Sequence, residues 1–348
     1  MQKTAVALSG GADSLMTLLL LRETGAAVMG VHALFHAAGD NGLPERLRAL
    51  CAKLGAPFTV VDLRREFEEL VVAPFVRAYQ RGLTPNPCAA CNPSIKFGLL
   101  LDRVRELGAD RLATGHYARL EAAGYGPALF RGLDRSKDQS YFLSMVPRER
   151  FERIVFPLNG WTKADVRKAL DDRGLTPPAG RESQEVCFIP SDYRDFLRAR
   201  KVRLGGPGPI TLADGTVLGR HFGLWQHTLG QRKGLGIAYS EPLYVTAKSF
   251  EKNALIVGPK SAAMSSGCRT GAPNLLCPPD RWPGEVLVQT IYRQRPEPAR
   301  VDLDAEGMTI AFSEPRAIPA PGQVAAVYSP EGQVLGGGVI REGGTHAA

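Results

Sequence analysis

No stretch of this chain is long and apolar enough to span a bilayer, and neither a heptad run nor an internal repeat is present, which excludes a membrane span, a coiled coil and a solenoid. Cysteine is scarce, six among 348 residues. Met1-Gln-Lys-Thr has none of the character of a signal peptide, so a secreted disulfide scaffold is excluded and a cytoplasmic location is expected. The single Cys-x-x-Cys has no second such pair and no paired histidines to complete a zinc set. No Gly-Lys-Ser/Thr follows the glycines near the amino end, so the loop there is not a Walker loop. Acidic residues are outnumbered: 35 Asp and Glu stand against 43 Lys and Arg, a formal net charge of +8, which suits a polyanionic partner without proving one.

What is present begins with Ser9-Gly-Gly-Ala-Asp-Ser14. An apolar strand-like run, Ala5 to Leu8, is broken by Gly10 and Gly11, and strong helix formers follow from Leu15 to Arg22. A strand, glycine turn and helix in that order aim backbone N–H groups and the positive end of the helix dipole at one spot, which suits phosphate oxygens. Ser9 and Ser14 add hydroxyl donors, and Asp13 either holds a magnesium ion or orients the loop. Ser-Gly-Gly alone is also an ordinary turn and cap; the full string is more specific.

Cys88 and Cys91 lie in Thr84-Pro-Asn-Pro-Cys88-Ala-Ala-Cys91-Asn92, and the two prolines predict a rigid loop before a helix over 95–107. Thiols at a helix N-terminus are expected to be drawn toward thiolate. Cys187 follows about a hundred residues later, in Glu182-Ser-Gln-Glu-Val-Cys187-Phe-Ile-Pro190. Cys51 reads as plain core, and Cys268 and Cys277 have no evident chemistry.

Five strings carry a resemblance: Thr84 to Gly98, Ala113-Thr-Gly-His-Tyr-Ala-Arg119, Lys137-Asp-Gln-Ser-Tyr-Phe-Leu143, Val186-Cys-Phe-Ile189 and Thr228-Leu-Gly-Gln-Arg-Lys-Gly-Leu-Gly-Ile237. In this order, from the phosphate loop to Gly338, the chain resembles the tRNA-specific 2-thiouridylases of the ATP pyrophosphatase (PP-loop) superfamily. The resemblance implies that ATP adenylates the C2 oxygen of the wobble uridine and that a cysteine persulfide delivers sulfur, releasing AMP and pyrophosphate. It implies Cys187 as the persulfide carrier and Cys91 as the nucleophile that attacks it, through a transient Cys91–Cys187 disulfide or by freeing sulfide. It places ATP at Ala7, Leu8, Ser9, Gly10, Gly11, Ala12, Asp13, Ser14, Ala33 and Gly115. It places the target base at Asn86, Pro87 and Cys88, and other tRNA contacts at Lys137, Asp138 and Gln139, while Tyr292 with Arg293 offers an aromatic ring and a guanidinium for a flipped base. Magnesium, and Lys96 or Lys137, would offset charge on the leaving phosphate. A sulfur donor such as a cysteine desulfurase or a relay carrier is implied.

In part of that family an aspartate stands where this chain has Cys88. Three cysteines, Cys88, Cys91 and Cys187, are also what a [4Fe-4S] cluster with one open iron needs, so a cluster route stays open beside the persulfide route. The segment after Val31 is shorter than in relatives; His32 and His36 there are weak ligand candidates, and His116 is either functional or a bonded core histidine. Rival functions are an ammonia-using synthetase sharing the phosphate loop, and a non-enzymatic RNA-binding protein.

Alternating strand and helix patterns up to about Leu197 predict a parallel α/β sheet of the adenine-nucleotide α-hydrolase type over 1–200, its ligand at the strand carboxyl ends. A Gly- and Pro-rich shift near Lys201 opens a small central domain, 201–262. Short β-rich runs, Val286–Thr290, Met308–Phe312 and Val324–Tyr328, predict a C-terminal β-barrel contacting tRNA, 263–345. Basic clusters lie at Arg194 to Arg203 and Tyr292-Arg-Gln-Arg295.

Overall fold

The computed structural model describes residues 2–36, 42–179 and 186–344. Five parallel strands form the first sheet: β1 (Lys3–Ala7), β2 (Ala27–Leu34), β3 (Phe58–Asp62), β4 (Arg111–Ala113) and β7 (Ile154–Val155), in the order β3-β2-β1-β4-β7. Their apolar, near-continuous sequences follow from burial on both faces, as at Ala5 and Val6, which expose nothing. The chain winds from β1 outward to β3 through helices α1 (Ala12–Glu23) and α2 (Leu43–Lys53), then crosses back to β4 on the other side of β1. The order therefore reverses between β1 and β4, and a crevice opens at their carboxyl ends. The parallel pairing of β1 with β2 and β4, and of β2 with β3, is the sheet that the strand–helix alternation predicts.

The cysteine segment departs from expectation. Helical structure starts at Pro87 rather than near residue 95, because Pro87 suits the first helical position and Asn86 caps it, its Oδ1 accepting from Ala89 N at 3.1 Å. The helix then widens into π geometry over Asn92–Leu100 before closing as α-helix over Leu101–Glu106. Pro93 supplies no N–H inside this helix, and Gly98 leaves room for the Pro93 carbonyl, which would lie 2.6 Å from any Cβ there. Cys88 and Cys91 thus ride on a helix, not on a loop.

A hairpin of β5 (Ala118–Ala123) and β6 (Gly126–Arg131) leads to the Lys137–Leu143 string. The central sheet pairs β8 (Gly208–Thr211), β9 (Val217–His221), β10 (Tyr244–Ser249) and β11 (Ala254–Gly258) in the order β10-β11-β8-β9. The last unit contains β12 (Met264–Thr270), β13 (Asn274–Leu275), β14 (Val286–Gln289), β15 (Glu297–Leu303), β16 (Met308–Ala317), β17 (Val324–Tyr328) and β18 (Val334–Glu342). Pairing of β18 back to β12 closes six of them into a barrel, with β13 attached to β18.

The barrel and the parallel-sheet unit share one core. Phe97 and Tyr141 pack in the same cluster as Val324, Ala326 and Tyr328, and Trp225 joins from the central unit. Tyr141 donates its hydroxyl to Val324 O at 2.8 Å, and Asn274 Nδ2 donates to the carbonyls of Ser144 and Val146. The run Gly336 to Gly338 answers this approach: a Cβ at Gly337 would lie 2.6 Å from Ser144 Oγ. The Cys88 helix is held at its start by Gln323 Nε2 donating to Thr84 O at 2.8 Å and by Thr84 Oγ1 bonded to Thr228 Oγ1 at 3.0 Å.

Candidate active site

Ser9 to Ser14 turns at the end of β1, directly beside Thr114 to His116 at the end of β4. Gly10 has φ +82°, a conformation few other residues tolerate. Ser14 Oγ donates to Gly11 O at 2.9 Å and accepts from Ser9 N at 3.2 Å, closing the turn. No side chain caps the start of α1, so its first-turn N–H groups face outward unspent, as a phosphate group requires. Gly115 is needed on the other wall: a Cβ there would lie 2.8 Å from the Asp13 main chain. Gly115→Ala is expected to push the loop away from β4 and to cost about 1–3 kcal/mol, read as a lowered melting temperature and weaker ATP binding.

Asp13 orients the loop. Lys163 Nζ donates to both of its oxygens at 2.8 Å, and Tyr117 Oη donates to Oδ1 at 2.7 Å. Lys163 is the first residue of helix Lys163–Asp172, which Thr162 and Asp165 cap reciprocally. Neither Lys163 nor Tyr117 is marked by any short motif, and sequence reasoning missed both; the partnership exists only because α1 packs against that helix. Ala7 and Ala33 close the strand ends nearby, on β1 and β2.

Cys88, Cys91 and Cys187 gather. Cys91 is disfavoured as a thiolate by both Cys187 and Cys88 beside it, and Lys96 lies close enough to act on all three and on His116. The expectation of lowered thiol pKa values is overturned. Burial pushes Cys91 up to about 12 and raises Cys88, with Lys96 opposing in both cases. Cys187 is exposed at its surface but crowded by protein, and the loss of water around its thiol raises it as well. Desolvation outweighs the helix dipole because Cys91 lies in the packed core shared by the units, and Cys88 and Cys187 are crowded by protein beside it, rather than at an open helix end. At neutral pH Cys91 is therefore held as a thiol by its burial. Alkylation at Cys91, followed by peptide mass spectrometry, should accelerate about tenfold per pH unit from 7 to 9 and slow in Lys96→Gln.

All six cysteines are free thiols. Cys51, Cys268 and Cys277 are core residues. Among the described residues no group of three His, Cys, Asp or Glu side chains is placed to hold a metal ion. Lys96 favours the thiolate form of the three cysteines. His116 is a buried core histidine, its Nδ1 bonded to Thr114 Oγ1 at 2.8 Å and its pKa held well below the usual range by burial, so it stays neutral. His32 donates Nδ1–H to Leu8 O at 2.7 Å rather than serving as a ligand. Residues 37–41 of the shortened segment, and Glu182 to Glu185 before Cys187, lie outside the described residues.

The remaining expected contacts surround this centre. Asn86 spends its Oδ1 as the helix cap, and Pro87 is buried. Lys137 is half-buried and exposes part of its side chain. Asp138 is turned inward, accepting from Arg131 Nε at 2.7 Å and from the N–H groups of Gly132 and Ser140, so it holds the segment rather than facing a ligand. Gln139 Oε1 accepts from Tyr117 N at 3.1 Å. Tyr292 reaches in from the barrel, its ring 4.3 Å from that of Phe142 and its hydroxyl within electrostatic range of Cys88; Arg293 lies over it, exposed.

A nucleotide-type phosphate loop at the switch point of a parallel sheet, in the same unit as paired cysteines, defines an ATP-dependent PP-loop enzyme built for sulfur chemistry. Residues 2–191 match the family model described as tRNA methyl transferase HUP domain, 194–259 the tRNA methyl transferase PRC-barrel domain and 265–340 the aminomethyltransferase beta-barrel domain. A protein of Nitratidesulfovibrio vulgaris named tRNA-specific 2-thiouridylase MnmA is 55% identical over 346 residues, covering 97% of this chain and 99% of its own. Proteins of the same name from Oleidesulfovibrio alaskensis and Chloroflexus aurantiacus are 51% and 42% identical, with 97% and 98% of this chain covered and 98% of each relative. The chain belongs to the tRNA-specific 2-thiouridylases, a family of tRNA sulfurtransferases.

Proposed function

We propose that this enzyme converts the wobble uridine of tRNA to 2-thiouridine by an ATP-driven persulfide transfer. The observation that carries the reading is the gathering of Cys91, Cys88 and Cys187 around Lys96, which also acts on His116, next to the Gly115 that packs on Asp13 of the phosphate loop. ATP seats its phosphates on Ser9 to Ser14 and the start of α1, near Ala7, Ala33 and Gly115. Magnesium arrives with those phosphates and supplies charge neutralisation for the departing pyrophosphate; Asp13 is the carboxylate at hand, already paired to Lys163. The C2 oxygen of the uridine attacks the α-phosphorus, the α–β bond breaks and pyrophosphate leaves, while N3 gives up its proton to solvent and regains it when the C2 thione forms. A poor leaving oxygen thereby becomes AMP.

Cys187 carries the persulfide, charged by a cysteine desulfurase or a relay carrier. Its terminal sulfur adds to C2 while Cys91, losing its thiol proton to solvent with Lys96 favouring the anion, attacks the inner sulfur, breaking the S–S bond and leaving a Cys91–Cys187 disulfide; AMP departs with the original oxygen. If Cys91 attacks first, hydrosulfide is freed and adds to C2 with the same balance. An external thiol reduces the disulfide. Asn86, Pro87 and Cys88 frame the base, Tyr292 stacks on it, and Arg293 and Lys137 hold phosphates. Residues 201–260, with eight Lys and Arg against three acidic residues, add a basic surface for the tRNA.

The test is thiolation of unmodified tRNA with ATP, cysteine, a cysteine desulfurase and a reducing thiol, by anaerobically purified protein of measured iron content. Iron-free activity, with one AMP formed per sulfur transferred, is the expected result; activity that appears only on reconstitution with iron would overturn the persulfide route.

A further inference from the structure

Among the described residues, few buried side-chain polar atoms lack a hydrogen-bond partner, and two of these, Asn92 Oδ1 and Thr290 Oγ1, lie around the Phe142–Tyr292 ring pair. Asn92 is 2% exposed and Thr290 1% exposed. Asn92 Nδ2 donates to Phe142 O at 3.1 Å, which fixes the amide: turned over, it would set two oxygens against each other. Its Oδ1 is therefore a bare acceptor pointing elsewhere. Thr290 stands two residues before Tyr292, and Tyr141 donates to its carbonyl at 3.3 Å. Asn92 directly follows Cys91 and lies about one helical turn beyond Cys88, at the first residue of the widened stretch, where local geometry is already paid over to something other than a regular helix.

A buried acceptor without a donor is costly, and its persistence beside a reaction centre points to a donor brought by the ligand. Uracil carries one N–H on its Watson–Crick edge, N3–H, adjacent to the reacting C2. Cytosine has a lone pair in that place. We propose that Asn92 is a specificity residue: its Oδ1 accepts N3–H of the target uridine, aligning C2 with the cysteines and rejecting cytidine, whose N3 would face it lone pair to lone pair. The inference rests on the thiouridylase reading above. The base enters beside Tyr292, so the ring pair parts to admit it.

The experiment measures, without ATP, the affinity for anticodon stem-loop RNA carrying uridine or N3-methyluridine at the target, with the wild type, Asn92→Ala and Asn92→Asp, thiolation of the uridine RNA by the wild type being followed separately with ATP. In the wild type the N3 methyl should cost about a hundredfold, the usual size of one lost specific base contact. In Asn92→Ala, uridine should fall by about the same factor and the methyl should cost nothing further, because one bond cannot be lost twice. Asn92→Asp keeps an acceptor but loses the donor to Phe142, so it should retain the methyl penalty if the acceptor matters. An unchanged methyl penalty in a folded Asn92→Ala overturns the assignment, as does Asn92→Asp behaving like Asn92→Ala. Failure of the wild type to thiolate uridine at all overturns the underlying function instead.

Discussion

Cys187→Ser should abolish sulfur transfer, by about three orders of magnitude or more, while leaving ATP-dependent adenylation of the tRNA and tRNA binding nearly intact. The division follows from where the thiol stands: Cys187 is exposed at the edge of the cysteine group and makes no contact with the phosphate loop that the turn of Ser9 to Ser14 depends on. Serine is nearly isosteric, so the change removes chemistry rather than packing. Exchange of labelled pyrophosphate into ATP with bound tRNA, measured alongside 2-thiouridine formation, separates the two steps. Cys91→Ser should lose transfer too but still accumulate a persulfide on Cys187, detectable as a 32-dalton gain on a roughly 37.6 kDa chain. If Cys187→Ser forms 2-thiouridine at the normal rate, the persulfide assignment is wrong.

The second large effect concerns a pair that carries no cysteine. Lys163→Met should raise KM for ATP and lower AMP formation about a hundredfold, equivalent to roughly 2.7 kcal/mol of transition-state stabilisation. Lys163 is buried, its side chain 9% exposed, and it grips both oxygens of Asp13, whose side chain is 32% exposed. Without it, a carboxylate stands uncompensated in the first turn of α1, beside the N–H groups meant for phosphate. Two costs then coincide, an unpaired partly buried charge and repulsion of the nucleotide. Asp13→Asn in the Lys163→Met background should recover part of both thermal stability and ATP affinity, since the repelling charge is gone; full additivity of the two changes in a double-mutant cycle would show that the pair does not act as one unit. Tyr117→Phe, which removes the tyrosine's hydrogen bond to the Asp13 carboxylate but leaves Lys163 in place, should be milder.

Much of the architecture was legible along the chain. Strand–helix alternation gave the parallel sheet because strands buried on both faces read as short apolar runs, and the glycine turn after the first of them marked the phosphate site. The start of the cysteine helix was not legible: two prolines read as a loop, yet Pro87 fits a helix N-terminus and Pro93 is absorbed by a π-helical widening that only packing against the rest of the core sustains. The thiol pKa values went the opposite way from expectation for the same reason. A helix dipole is a local property, readable from position, whereas desolvation depends on what covers the thiol. Asp138 shows the same limit, since its string suggests an exposed contact while Arg131 of β6 draws the carboxylate inside.

The chain by itself determined its nucleotide loop, its three-part order and its family, because these reside in contiguous strings whose residue types are dictated by local backbone demands and chemistry. Only the tertiary structure decided which groups meet. Lys163 reaches Asp13 across 150 residues, Tyr292 of the barrel comes to the Cys88 helix, and Lys96 stands among thiols drawn from two distant segments. Such meetings depend on the packing of helices and sheets in one shared core, and pairwise electrostatics falls off so steeply with distance that separation in space, not in sequence, sets the chemistry.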